Sequence, residues 1–316
     1  RRYLQYLRQA QERDCDTDHQ TYPSVGIANR VRQVFCAHMR TRWQGGTSGL
    51  RKLALITGAS AGIGHAFAEH YAAQGFDVAL VARRGDRLAE ISADLKSRFN
   101  IETLIVVSDL SAPDAPERIL EEVSGAGRHV DVLINNAGFG LPGVFAETRW
   151  EDQRNFIQLM FTAPLELCHR LLPGMIERRY GRIINVASLV SFLPGGVGHT
   201  LYGPVKSGLM RFSESLNAET EGTGVHVTAL CPGLTFSEFH DVNGQRARVS
   251  KTPGIMWQTA DRVVELGVRA VENNRAVIVT GFVNKCLAVL GQVLPGGIAR
   301  SLMKAQSADN KGEGDA

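Results

Sequence analysis

Short runs that are apolar throughout alternate with stretches of helical periodicity from residue 53 onward. Residues 53–57, 77–82, 103–107, 132–134, 182–187, 225–230 and 276–279 lack the polar alternation of a half-solvated strand. They predict strands buried on both faces. Between them, residues 63–74, 86–99, 113–124, 150–178, 202–221 and 259–273 predict helices. Strands separated by helices need crossovers, and right-handed crossovers wind helices onto both faces of a parallel sheet. The expected architecture is therefore α/β, a doubly wound parallel sheet in a single domain over residues 51–281.

The flanks differ. Residues 1–50 lack sustained periodicity and contain the turn-like stretches Asp14-Cys15-Asp16-Thr17-Asp18 and Gly45-Gly46-Thr47-Ser48-Gly49. They predict a poorly ordered N-terminal extension. Over 282–316, Val283, Leu287, Leu290 and Leu294 recur at helical spacing, with Lys285, Arg300 and Lys304 nearby and a polar end from Ser307. This amphipathic extension can pack on the protein, on a second subunit, or on a lipid surface as a peripheral contact through 282–303. It is too short to span a bilayer, and no run of 18 apolar residues occurs elsewhere.

Bulk composition excludes several classes. The 316 residues are 44% hydrophobic and 21% charged, as in an ordinary globular protein. Residues 1–50 hold eight arginines and four acids, and the remainder holds 27 basic and 28 acidic residues. The folded part is thus nearly neutral, and no nucleic-acid partner is expected. Five cysteines (Cys15, Cys36, Cys168, Cys231 and Cys286) show no CxxC spacing. Neither a disulfide framework nor a metal site is expected, and a reducing, cytoplasmic location fits.

Two motifs carry the chemistry. Thr57-Gly58-Ala59-Ser60-Ala61-Gly62-Ile63-Gly64 joins the first strand to the first helix. Glycines there let the backbone turn tightly and approach a pyrophosphate, which the N–H groups of the helix start then face. Strand two ends in Ala82-Arg83-Arg84, where an acid would bind an adenosine 2′-hydroxyl or an arginine a 2′-phosphate. Arg83 favours NADP(H) over NAD(H), and solvated surface charge is the alternative. Asp86 is a rival acid that also fits as a cap of the next helix, and Asp77 is at the wrong end of the strand. Asp109, after strand three, can accept from an adenine amino group or cap a turn. The second motif, Tyr202-Gly203-Pro204-Val205-Lys206, sets a phenol and an ammonium on one face of a helix. The ammonium is expected to lower the phenol's pKa. Pro204 places the helix start at about residue 201 or 202. Ser188 can anchor a substrate carbonyl or simply end its strand, with Ser191 a weaker candidate.

With Asn135-Asn136-Ala137-Gly138 and Cys231-Pro232-Gly233, these motifs resemble, in order and spacing, the short-chain dehydrogenase/reductase family over about residues 51–280. The resemblance implies a Rossmann-type sheet of seven strands and a homodimer or homotetramer. It implies hydride exchange between a nicotinamide and a small-molecule carbonyl or secondary alcohol. Tyr202 would be the acid/base, Ser188 the carbonyl anchor and Lys206 the ribose clamp. Gly58, Ser60, Gly62, Ile63, Gly64, Arg83, Asp109, Asn135, Ala137, Gly138, Pro232, Gly233 and Thr235 would line the cofactor, along with Tyr202 and Lys206.

One departure stands out. The family's usual asparagine, whose carbonyl holds a water linking the lysine to solvent, is replaced by Met160 in Leu159-Met160-Phe161-Thr162. A thioether accepts hydrogen bonds poorly. A backbone carbonyl or water can substitute, or the relay is altered. Two functions follow: an active reductase/dehydrogenase, or a nucleotide-binding protein of the same fold with weak chemistry. Phe192, Leu193, Phe236, Phe239, Met256 and Trp257 make the loops above the strand ends apolar, favouring a bulky hydrophobic carbonyl.

Overall fold

The computed structural model describes residues 50–141, 143–195, 200–236, 254 and 257–294. The predicted N-terminal extension lies outside these residues except for Leu50, as does the chain beyond 294. Seven strands form one sheet: β1 (Leu53–Thr57), β2 (Asp77–Ala82), β3 (Thr103–Val107), β4 (Val132–Asn135), β5 (Gly181–Val186), β6 (Val225–Cys231) and β7 (Val277–Val279). The order is β3-β2-β1-β4-β5-β6-β7, and every pairing is parallel. The expected Rossmann-type fold is the one found.

The side-chain alternation of β1 explains why its run is apolar throughout. Leu53 and Leu55 pack on one face with Ile119, Phe156, Leu167 and Val205, while Ala54 and Ile56 pack on the other with Phe67, Leu88 and Val263. The second face carries α1 (Gly62–Ala73), α2 (Gly85–Phe99) and α7 (Ala260–Glu272). The first carries α3 (Ala115–Gly125), the paired α4 (Trp150–Ile157) and α5 (Ala163–Glu177), and α6 (Tyr202–Glu219). Burying each such leucine or isoleucine stabilises the fold by about 1.5–3 kcal/mol. Strand order reverses between β1 and β4, so a crevice opens at the carboxyl ends of the strands there. The amino edge is fastened separately: Asp131 accepts from Leu53 N at 2.9 Å, and Asp77 pairs with Arg128 at 2.9 Å.

Two helical predictions need correction. The helix expected over 150–178 is broken by a π-helical turn, Gln158–Thr162. Pro164 has no N–H to give the Met160 carbonyl four residues earlier, and its ring crowds that carbonyl, so the ladder shifts by one residue. The terminal helix α8 (Phe282–Val293) exists, and the predicted stripe only borders its buried face: Asn284 and Ala288 are buried, Val283, Leu287 and Leu294 are half-buried, and Leu290 is exposed with Phe282, Val289 and Val293. Gly291 explains the choice: a Cβ there would lie 2.5 Å from the Phe192 carbonyl oxygen. The helix rests on backbone, and only small residues permit that approach. Among the described residues, no helix is long and apolar enough to cross a membrane.

Candidate active site

The glycine motif, Arg83, Asp109, Asn135 to Gly138, Ser188 and Pro232 to Thr235 lie at or just beyond the carboxyl ends of their strands, while Tyr202 and Lys206 lie in the first turns of α6 and Met160 in the π turn. Gly58 follows β1 with φ of 67°, and Gly62 opens α1 with φ of 55°. Both angles lie in the left-handed region that side chains with a Cβ disfavour. A Cβ on Gly58 would also lie 2.8 Å from the Asn136 amide nitrogen. Gly64 serves packing instead, since a Cβ there would meet the Gly58 carbonyl oxygen at 2.2 Å. The N-cap of α1 is Ala61, which offers no side-chain acceptor to the first-turn N–H groups. An uncapped helix start behind a glycine cradle fits a dinucleotide pyrophosphate. Ile63 opens the helix with its side chain against the core, leaving its backbone to the cradle.

The loop is braced by residues that the sequence did not single out. Asn136 Nδ2 donates to the carbonyl oxygens of Thr57 and Gly58 at 3.0 and 3.3 Å. Thr57 Oγ1 accepts from the backbone N of Asn136 and Ala137 at 2.9 and 3.0 Å. Arg84, rather than Arg83, reaches the cradle: its Nη2 donates to Ser60 Oγ at 3.0 Å. Arg83 is exposed, and its guanidinium lies 3.9 Å from the Asp109 carboxylate. The other Asp109 oxygen accepts from Ser111 N and Oγ at 3.0 and 2.8 Å, so Asp109 does cap a turn. Asp86 lies in the first turn of α2, whose N-cap is Arg84, so it is not the cap that its sequence position suggested.

Asn135 departs from the cofactor-lining expectation for its side chain. It is buried, and its Nδ2 donates to Asn185 Oδ1 at 2.8 Å and to the Pro164 carbonyl at 3.3 Å. Asn185 donates in turn to Ser213 Oγ on α6 at 2.9 Å. This chain of amides ties β4, β5 and α6 together and so sets the depth of the helix bearing Tyr202 and Lys206. Ala137 and Gly138 continue the loop beyond β4. Across the crevice, Pro232 accepts from Leu189 N at 2.8 Å, and Thr235 Oγ1 donates back to Gly233 O at 3.1 Å. Thr235 thus closes its own turn.

Ser188 caps the 3-10 turn Leu189–Phe192, accepting from Val190 N at 3.3 Å. Tyr202 opens α6, where Pro204 costs no helical hydrogen bond. Its phenol is half-buried and hydrogen-bonded to Ser188. Burial raises its pKa above the ordinary tyrosine value, with the Ser188 bond acting the other way. The lowering expected from Lys206 does not prevail. Nζ lies 6.0 Å from the Tyr202 ring centroid and donates to the Val186 carbonyl at 2.6 Å. Burial also pushes the Cys231 thiol up to about 12, which leaves it as inert packing.

Lys206 is buried, and desolvation pulls its ammonium down to about 8 from 10.5. Between those two values the unfolded chain binds the extra proton, so this group makes stability rise with pH across the window. Below about 8 the full cost of the buried ammonium is present. Lys206→Met should therefore melt highest relative to wild type below pH 8, the gap narrowing toward pH 10.5. Thermal melts across that range check it. A gap that does not change with pH would show an ammonium that is solvated in the fold.

Met160 is buried in the π turn, and its Sδ would lie 2.8 Å from a Cβ on Gly138. Its thioether fills space on the Asn135-Asn136-Ala137-Gly138 loop and offers no strong acceptor. Met160→Asn is expected to raise turnover or shift the pH–rate profile, leaving cofactor affinity unchanged. An unaltered profile would assign the proton path to another acceptor. The Met160 carbonyl, deprived of its α-helical donor by Pro164, is the nearest in kind.

Among the described residues no group of His, Cys, Asp and Glu could hold a metal ion. The stacked Phe236 and Trp257, ring centroids 4.7 Å apart, keep part of the expected apolar rim, while Phe239 and Met256 lie outside the described residues.

Comparison with known proteins agrees with this geometry. The family model for short chain dehydrogenase matches residues 52–247. Serine 3-dehydrogenase of Rhizobium radiobacter is 34% identical over 213 residues, covering 66% of this chain and 83% of that one. The very-long-chain 3-oxoacyl-CoA reductase of Mus musculus is 30% identical over 226 residues, covering 70% and 69%. A solved short-chain dehydrogenase from Sphingobium yanoikuyae in complex with NADPH superposes with a TM-score of 0.66 at 27% identity, covering 82% and 94%. The chain is an oxidoreductase and belongs to the short-chain dehydrogenase/reductase family.

Proposed function

We propose that this protein is an NADP(H)-dependent enzyme that interconverts a hydrophobic carbonyl compound and its secondary alcohol. The observation that carries the reading is the hydrogen-bonded Ser188–Tyr202 pair, one helical turn from the buried Lys206. NADPH, when bound, supplies the hydride. Ser188 Oγ orients the carbonyl oxygen, and Tyr202 Oη gives that oxygen its proton. A phenol whose ionisation is opposed by burial suits proton donation, the reductive direction. Lys206, with a pKa of about 8, retains its ammonium through the neutral range and can hold the nicotinamide ribose.

Arg83 and Arg84 support the phosphorylated cofactor, as does the NADPH complex of the Sphingobium relative. The relatives named above carry serine in one name and a very-long-chain oxoacyl thioester in the other, so kinship does not select a substrate. The apolar rim at Phe192, Leu193, Phe236 and Trp257 favours a bulky hydrophobic one.

Quenching of NADPH fluorescence, followed by turnover with steroid, retinoid, aliphatic and quinone carbonyls, tests the reading. Binding without turnover on any of them would favour a nucleotide-binding protein with weak chemistry, the reading that Met160 supports. The exposed face of α8 suits a second copy in a homodimer or homotetramer. Light scattering on the same preparation gives the mass. A monomer that floats with liposomes would assign that face to a lipid surface instead.

A further inference from the structure

The buried face of α8 brings an amide to the turn after β6. Asn284 is 2% exposed, and a Cβ on Gly233 would lie 2.3 Å from its Nδ2 and 2.6 Å from its Oδ1. The flat side of the amide therefore rests on Gly233. Nδ2 donates to the Thr280 carbonyl at 2.8 Å, which fixes the plane, while Oδ1 has no hydrogen-bond partner. Thr280 N donates to the Cys231 carbonyl at 3.3 Å, and Gln258 N donates to the Leu234 carbonyl at 3.0 Å. The Leu189–Pro232 bond completes the frame. Four segments thus meet on residues 231–234. A position filled for packing alone has no reason to bury an unpaired acceptor, which an apolar residue would avoid.

We propose that Asn284 is a positioning residue for the nicotinamide end of the cofactor site. It sets how deep the Pro232–Gly233 turn sits, and it makes the terminal helix part of the cofactor machinery. The inference rests on the NADP(H) reading above. Gly233 is part of the same device, because any side chain there would displace the amide.

The test compares two ligands on the full chain. NADPH reaches both ends of the site, and 2′,5′-ADP carries the phosphorylated adenosine end without nicotinamide. In Asn284→Leu, NADPH affinity is expected to fall about tenfold, with 2′,5′-ADP affinity and melting temperature near wild type. Asn284→Ser, which keeps a donor for the Thr280 carbonyl, should recover part of the NADPH affinity, and it serves as the test if the leucine variant does not fold. Wild-type affinity for both ligands in either variant would overturn the inference, as would equal loss for both alongside a lowered melting temperature. If wild type binds neither ligand, the cofactor reading itself fails.

Discussion

Replacing Tyr202 with phenylalanine is expected to lower turnover by roughly 10²–10⁴-fold while NADPH affinity stays within a few-fold of wild type. The ring is retained at the start of α6, so packing on the core is preserved. What is lost is the hydroxyl that bonds Ser188 and that the proposed mechanism uses as proton donor. Ser188 Oγ is too weak an acid to replace it. A steady-state rate with any active carbonyl and a fluorescence titration with NADPH check both halves. Retained turnover would move the proton donor elsewhere.

The second large effect concerns the cofactor's phosphate. Arg83→Asp should reverse a preference for NADP(H) over NAD(H). A charge-assisted contact to phosphate contributes about 1.5–3 kcal/mol, and the variant would add a second carboxylate beside Asp109. Two acids there repel a 2′-phosphate and accept from a ribose hydroxyl. Arg84 stays on Ser60, so the double change at both arginines should go further. Titration of wild type and variants with both cofactors decides it. Equal wild-type affinity for the two would make Arg83 an ordinary surface charge.

The sheet was legible because its signal is local: the inner strands are runs buried on both faces, the edge strands β3 and β7 are apolar runs that are half-buried, and β1, β2 and β3 begin and end where the pattern placed them. Tyr202, Lys206, Ser188 and the glycine cradle could be proposed from the sequence because the chemistry they would perform dictates a spacing. Residues acting at a distance along the chain were not. Arg84 reaches Ser60 across 24 positions, and Asn136 braces a loop 78 positions earlier. Asn284 resembles any polar residue on an amphipathic helix until its neighbour proves to be Gly233. The leucine stripe of α8 marks only the border of its buried face, for a related reason. Hydrophobic periodicity finds faces that pack on side chains, whereas this helix packs on backbone, which favours small residues. The π turn was hidden because one proline moved a hydrogen-bond ladder without changing the periodicity around it.

Met160 and Gly138 have a consequence for how such a chain can change over generations. The thioether occupies the room that any side chain at 138 would need, so with Met160 in place a larger residue there must first displace the end of the methionine. An asparagine at 160 would be shorter and would leave a void against that glycine, with a polar amide beside Phe156 and Leu159. A change to the amide therefore trades packing against chemistry: the variant that alters the proton path also loosens the loop beneath it. Positions 138 and 160 are coupled through that shared space, so the way between thioether and amide is easiest when the neighbours that fill the gap change with them.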